Sequence, residues 1–402
     1  MSSPRPSGIQ TAIAGLLALA IGMGVGRFAM TPLLPMMQAD AGLSVVEGGW
    51  LASANYLGYF LGSLWAMVAA ARPAAAVRAG TIAIGLLTAA VAFEHRFSVW
   101  IALRLAAGIA NAWVGIHAIS WCLERLAPLR RPLLNGVVFS GVGAGIAVVG
   151  AFCLAFMQAG MSSERAWFAL GVGTLLVAAG LWPVFSEAQD ASRDAGRDTE
   201  RNSLSAGWDH GWWGLVLAFG AAGLGYIIPA TFLPLMAWRE IQDPAVFGWA
   251  WPLFGAAAMA STPAAALLLA RLGNRRLWAA SQLLMAVGVA LPAIRPGLGA
   301  VMASALCVGG TFMVITMASM QEARAAGGRA PTALIAAVTA AFALGQIAGP
   351  LLAAYFAGPR SDFSGPLLAA SAMLAAGTLG LIRRRPEPAA AAHIQTLKRK
   401  PS

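Results

Sequence analysis

Residues 15–50 read GLLALAIGMGVGRFAMTPLLPMMQADAGLSVVEGGW, and residues 214–249 read GLVLAFGAAGLGYIIPATFLPLMAWREIQDPAVFGW. A shift of 199 residues aligns them without a gap and matches nine of 36 positions, among them Gly24 with Gly223, Gly26 with Gly225, Pro35 with Pro234 and Trp50 with Trp249. A long-period repeat of this kind marks an architecture built twice from one unit. Each copy opens a half of the chain. Between the halves lies EAQDASRDAGRDTERNSLSAGWDH, residues 187–210, the one long hydrophilic stretch in the sequence. The expected organisation is therefore an N-terminal unit over 1–186, a linker over 187–210, and a C-terminal unit over 211–402 that ends in a basic tail.

The composition says what kind of units these are. Of 402 residues, 59% are hydrophobic and 11% are charged, against roughly 25% charged residues in soluble globular domains. No soluble core absorbs that excess, which excludes disorder, collagen and a soluble enzyme. A bilayer-spanning helix needs about 20 mainly apolar residues. Twelve stretches free of Asp, Glu, Lys and Arg run from 6–26 to 363–382, six on each side of the linker. The shortest, 79–93, reaches span length once 77–95 is counted. The first continues into Arg27 and a Pro-rich stretch without an A-x-A cleavage site, so it reads as a helix and not as a secretory signal. The fold class expected is an all-α integral membrane protein with twelve transmembrane helices as two six-helix bundles.

A net charge of +11 in a soluble protein would raise the question of nucleic acid. Here the placement of the charges answers it, and no nucleic-acid partner is expected. One alternate set of loops, together with both termini, holds twenty Lys and Arg; the other set holds five. Cationic loops stay in the cytoplasm, which places both termini there, in the inner membrane of a bacterium. Cys122, Cys153 and Cys307 fall in apolar runs without metal-ligand spacing, so no metal and no cofactor are expected.

GVGRFAMTPLLPMMQADAGLS (24–44) followed by GGWLASANYLGYFLG (48–62) resembles the YbfB/YjiJ branch of the major facilitator superfamily. The wider superfamily is resembled in Arg271-Leu272-Gly273-Asn274-Arg275-Arg276, similar to its basic loop motif, and in Arg104-x-x-x-Gly108, similar to its helix-4 motif. The resemblance implies two bundles rocking about a central site, with Arg271, Gly273, Arg275 and Arg276 forming a gating loop. Two departures stand out. Ala71-Arg72-Pro73-Ala74 lacks the acidic residue and glycine of the corresponding first-half loop, and no proline follows the glycines of Gly141 to Gly145, as it does in drug antiporters.

The polar residues inside the apolar stretches are the candidates for chemistry. At about 1.5 Å of rise per residue, Arg27 and Arg104 fall roughly 8–9 Å from the middle of their helices on the same side, with Asn55 and Tyr56 in the same layer. Arg104, Gly108, Asn111 and Gly115 share one face of a helix. An arginine in a bilayer needs a counter-charge or water. Two readings stand: each arginine caps backbone carbonyls or pairs with Glu47, or one of them receives an anionic substrate as a bidentate fork. In the second repeat Tyr226 stands where Arg27 stands in the first. The substrate-binding candidates are thus Arg27, Asn55, Tyr56, Tyr59, Arg104, Asn111, Tyr226, Trp251 and Gln346. No carboxylate lies in the central turns of any span, so proton coupling, where present, would fall to Glu47 or His117. Gly345 to Pro350 reads as a flexing point, since proline removes a backbone bond.

The function these features point to is secondary transport of a small anionic organic solute by a monomer in the lipid bilayer, with protons as a candidate coupling ion. Drug-type efflux and uncoupled diffusion are variants of it. A polytopic membrane enzyme should show a catalytic cluster, and a transport-derived sensor a signalling domain; the sequence offers neither, so catalytic residues are expected to be none.

Overall fold

The computed structural model describes residues 6–69, 71–129, 131–185, 212–327, 331–358 and 362–383. The expected linker 187–210 and the basic tail beyond Arg383 lie outside the described residues. The described chain is helical, without strands. Its long helices are α1 (Gly8–Asp40), α2 (Val45–Val68), α3 (Pro73–Phe93), α4 (Phe97–Leu126), α5 (Pro132–Gln158) and α6 (Ser163–Leu181). They continue with α7 (Trp213–Glu240), α8 (Ala250–Leu272), α9 (Asn274–Ile294), α10 (Leu298–Ala326), α11 (Pro331–Ala357) and α12 (Ser364–Arg383). Over their described residues, ten of them are long and apolar enough to cross a membrane. In α2 the apolar run is broken by Glu47, Asn55, Tyr56 and Tyr59.

Local sequence explains where these helices begin. Ser7 with Gln10, and Ser44 with Glu47, form capping boxes in which each side chain satisfies the other residue's backbone N–H. Pro73 and Pro132 open α3 and α5 at the position where a missing N–H costs nothing. Between α8 and α9 the chain turns through Gly273 at φ +76°, a conformation that only glycine adopts without strain.

Contacts between connecting loops distinguish two ends of the molecule. At the end away from the chain termini, the Ser163 hydroxyl donates to Asp40 at 2.8 Å, and His95 lies 3.6 Å from Glu164. At the terminal end, Arg275 lies 3.8 Å from Glu322 and its Nε donates to the Leu381 carbonyl at 2.6 Å. Apolar side chains such as Leu176, Leu217, Leu267 and Ile294 are exposed along the helices, the arrangement expected where lipid replaces water as the solvent.

Helix α2 packs on α4 through backbone contact: a Cβ on Gly58 or Gly108 would strike the main chain of the facing helix. Helix α1 packs on α5, α7 on α11 and α12, and α9 on α10 and α12. The residues before and after the linker meet mainly through three pairs, α5 with α8, α2 with α11, and the last part of α1 with α7. Gly143 and Gly255 face each other in the first pair with no room for a side chain on either. Hydroxyls tie the other two: Thr31 donates to the Ala230 carbonyl and Ser53 to the Ile347 carbonyl, each at 2.8 Å.

Candidate functional site

The site is built where α1 stops being an α-helix. From Ala20 to Arg27 it is wound as a π-helix, closed by the Phe28 N–H donating to Met23 at 3.1 Å, and regular helix resumes at Met30. Such insertions gather at functional sites and leave carbonyls without intrahelical partners. Two of these are taken from outside. Asn55 Nδ2 donates to the Gly26 carbonyl and to the Arg104 carbonyl, both at 3.0 Å, and an Arg104 Nη2 hydrogen goes to the Arg27 carbonyl at 2.9 Å. Glycine at 108 lets α2 and α4 come close enough for Asn55 to bridge them.

The Arg27 side chain leaves this knot and enters a ring of aromatic groups. Only 4% of it is exposed. Its guanidinium carbon lies 4.8 Å from the centroid of Tyr56, 4.6 Å from that of Tyr59 and 5.4 Å from that of Phe28. It lies close to the hydroxyl of Tyr226, which accepts from Gln346. Arg27 and Tyr226, one position in the two repeats, thus touch. The Tyr56 hydroxyl lies 3.5 Å from that of Thr231. Among the described residues no carboxylate pairs with Arg27, and its Nη2 has no protein acceptor. Desolvating an ion costs several kcal/mol, and a cation–π contact returns about 0.5–2 kcal/mol. The faces of three rings therefore offset only part of that cost.

Behind Tyr226 runs a wall of rings. Tyr226 lies parallel to Phe312 and to Phe342, at 4° and 7°, with centroids 5.4 and 5.5 Å away. Phe254 follows Phe312, Trp251 stacks on Phe254 at 4.8 Å, and Trp251 meets Phe28 edge-on at 5.9 Å. The wall closes back on the residue next to Arg27.

The structure brings Arg27, Tyr56, Tyr59, Tyr226 and Gln346 together and turns other expected residues elsewhere. Asn55 and Arg104 give their donors to backbone carbonyls. The end of the π segment takes these donors, while Asn55 Oδ1 and Arg104 Nε have no partner among the described residues. Trp251 joins the wall through its ring, while its Nε1 meets no acceptor. Asn111 is fully buried against Gly22 and Gly26 of α1, and neither end of its amide has a partner. Glu47 accepts from both the backbone and the hydroxyl of Ser44 at 2.8 and 2.7 Å, so its carboxylate serves a helix cap at the far end, away from the Arg27 cage. His117 Nδ1 lies 2.9 Å from the carbonyl of Trp113, one turn back. Gly273 makes the α8–α9 turn, Arg275 links α9 to α10 and α12, and Arg271 and Arg276 are exposed beside it. Phe28, Thr231, Phe312 and Phe342 belong to the site and escape a reading of the sequence, because an aromatic ring in an apolar helix carries no signal of what it faces.

The family model described as an uncharacterised major facilitator superfamily (MFS)-type transporter, YbfB, matches residues 19–381. The chain belongs to this family. Membrane transport is accordingly its class of activity. Among curated proteins none matches the sequence. Similar solved structures show the same fold. The nucleoside transporter NupG superposes with a TM-score of 0.70 at 13% identity, covering 94% of this chain and 99% of that one. A bacterial homologue of the human lysosomal transporter Spinster, in an inward-facing and unoccupied conformation, gives 0.71 at 15% identity, covering 96% and 100%. The π segment and Arg27 both lie inside the matched region.

Proposed function

We propose that the chain is a secondary transporter of a small organic anion, working by alternating access between two six-helix bundles. The bundles are α1–α6 and α7–α12, twelve spans in all, joined by the linker 187–210. Both termini are cytoplasmic, in a bacterial inner membrane, and the unit is a monomer. The observation that carries this reading is Arg27: a buried guanidinium, without a carboxylate partner among the described residues and with its Nη2 lacking an acceptor, at the point where the repeats meet. A ligand carboxylate would supply the missing charge and accept two parallel N–H bonds.

The far end is periplasmic on this reading. There the Thr31 and Ser53 bonds hold the bundles together, which favours a state accessible from the cytoplasm, as in the Spinster homologue named above. Glu47 is committed to its cap, so proton coupling, where present, rests on His117.

Cells overproducing the wild-type chain and an Arg27→Ala form are compared for the organic anions they retain or lose. An anion whose level follows the wild type alone is expected. With that anion, purified Arg27→Ala should bind about ten- to a hundredfold more weakly, the worth of a charge-assisted bond, and Arg27→Lys should recover part of it. Identical anion profiles from wild type and a folded Arg27→Ala protein would overturn the proposal.

A further inference from the structure

We infer that the pair α5–α8 is a hinge and the pair α2–α11 a gate, so that the two halves open on one side instead of symmetrically. This rests on the alternating-access reading above and adds to it which seam moves.

The two seams are equivalent by sequence. Helices α5 (Pro132–Gln158) and α11 (Pro331–Ala357) begin and end 199 residues apart, the shift that relates the repeats. The same shift carries Ser53, Tyr56 and Leu64 of α2 onto Pro252, Gly255 and Pro263 of α8. At the far end the two seams pack alike. A Cβ on Gly49 would lie 3.0 Å from the Cβ of Ala354 in α11, and a Cβ on its counterpart Gly248 would lie 2.5 Å from a methyl of Leu154 in α5.

Away from that end the seams diverge. In α5 the glycines 136, 143 and 150 recur every seven residues, the spacing that keeps one narrow stripe against a partner helix. A Cβ on Gly150 would lie 2.7 Å from Pro252, on Gly143 it would strike the main chain at Gly255 and Met259, and on Gly136 it would lie 3.6 Å from Pro263. From the other side, a Cβ on Gly255 would strike the main chain at Ala147. Backbone thus lies close to backbone over about four turns.

The equivalent positions of the second seam are bulky. Tyr56 stands where α8 has Gly255, and Phe342 and Ile335 stand where α5 has Gly143 and Gly136. Side chains of that size hold the two backbones apart. Past the Ser53 bond, α2 becomes exposed on nearly the same face, at Leu57 and Leu64.

The two seams therefore resist separation differently. Lipid is as apolar as the side chains it would replace, so helices in a bilayer are held by close packing of small residues and by hydrogen bonds. Parting α5 from α8 forfeits the whole glycine stripe. Parting α2 from α11 at the far end breaks the hydroxyl bond of Ser53, with that of Thr31 beside it on α1. Rotation about α5–α8 is the motion that keeps the stripe.

The test is double electron–electron resonance on the full chain in lipid nanodiscs, in a Cys307→Ser background, since Cys122 and Cys153 are buried. Spin labels at the exposed positions Ala155 and Ala256 report the far end of α5–α8, and labels at Leu133 and Leu267 its terminal end. Val46 with Tyr355, and Leu64 with Ala336, report the same two ends of α2–α11. Each pair is measured with and without Thr31→Val and Ser53→Ala, which free the far end. The double substitution should lengthen the Val46–Tyr355 distance and shorten Leu64–Ala336, while both α5–α8 distances stay where they are. Ser53→Ala alone should give the same pattern with a smaller shifted population. Folded Gly143→Ala, in which a Cβ wedges the hinge, should make the α5–α8 distances respond as well. Shifts at both seams without that wedge overturn the hinge and leave alternating access standing. Distances that stay fixed at both seams in every variant overturn the hinge together with the alternating-access reading. An α5–α8 seam that stays fixed in folded Gly143→Ala while α2–α11 moves overturns the role given to the glycine stripe.

Discussion

Asn55 and Asn111 are both fully buried asparagines inside helices, yet the structure assigns opposite signs to their replacement by leucine. Asn55 donates to two carbonyls at 3.0 Å each. Inter-helix hydrogen bonds in membrane proteins are worth about 0.6 kcal/mol on average, and a buried carbonyl left without a donor costs about 1–3 kcal/mol. The Gly26 carbonyl would have no substitute donor, while the Arg104 carbonyl, inside α4, keeps its helix bond. Asn55→Leu should therefore destabilise by about 1–3 kcal/mol. Asn111 makes no hydrogen bond to protein through either amide atom. Leucine, of similar shape, removes a buried polar group that gains nothing from the fold, so Asn111→Leu should be neutral or stabilising. Reversible unfolding of both variants in the same lipid nanodiscs measures the difference. If Asn111→Leu loses as much stability as Asn55→Leu, hydrogen-bond satisfaction does not decide the fate of buried amides here, and the structural role given to Asn55 falls with it.

Two further outcomes follow from the far end. Thr31→Val with Ser53→Ala removes both hydroxyl bonds across the interface, each worth about 0.5–1.5 kcal/mol; a cysteine placed at Gly49, which packs on Ala354 and Pro350 of α11, should then react with an impermeant thiol reagent from the periplasmic side several-fold faster, and an unchanged rate would show that these bonds do not hold that side shut. Ser44→Ala should cost about 1 kcal/mol as the loss of a helix cap, whereas Glu47→Gln keeps the reciprocal bond and should leave any gradient-driven flux intact. A flux that disappears in Glu47→Gln would return Glu47 to proton coupling.

The sequence by itself determined the class of the molecule and the presence of a repeat. Hydrophobicity sustained over span length can be satisfied only in lipid, and charge excluded from twelve stretches marks their ends whatever their packing. It also picked out Arg27, because an arginine in an apolar run is conspicuous on energetic grounds alone. What it left open was which of two arginines at similar depth is structural. That depended on the π turn of α1, which local propensity does not announce: the extra residue rotates the Arg27 side chain into the rings and leaves its carbonyl for Arg104. The aromatic wall was equally hidden. Tyr226, Phe312 and Phe342 come from three helices 86 and 30 residues apart in sequence, and periodicity reports which face of a helix is apolar, not which rings from other helices will lie parallel to it. Glu47 shows the converse. Ser44 and Glu47, three positions apart, carry the pattern of a capping box, and the structure uses them for that purpose, because a cap is a local bond that tertiary packing has no cause to change.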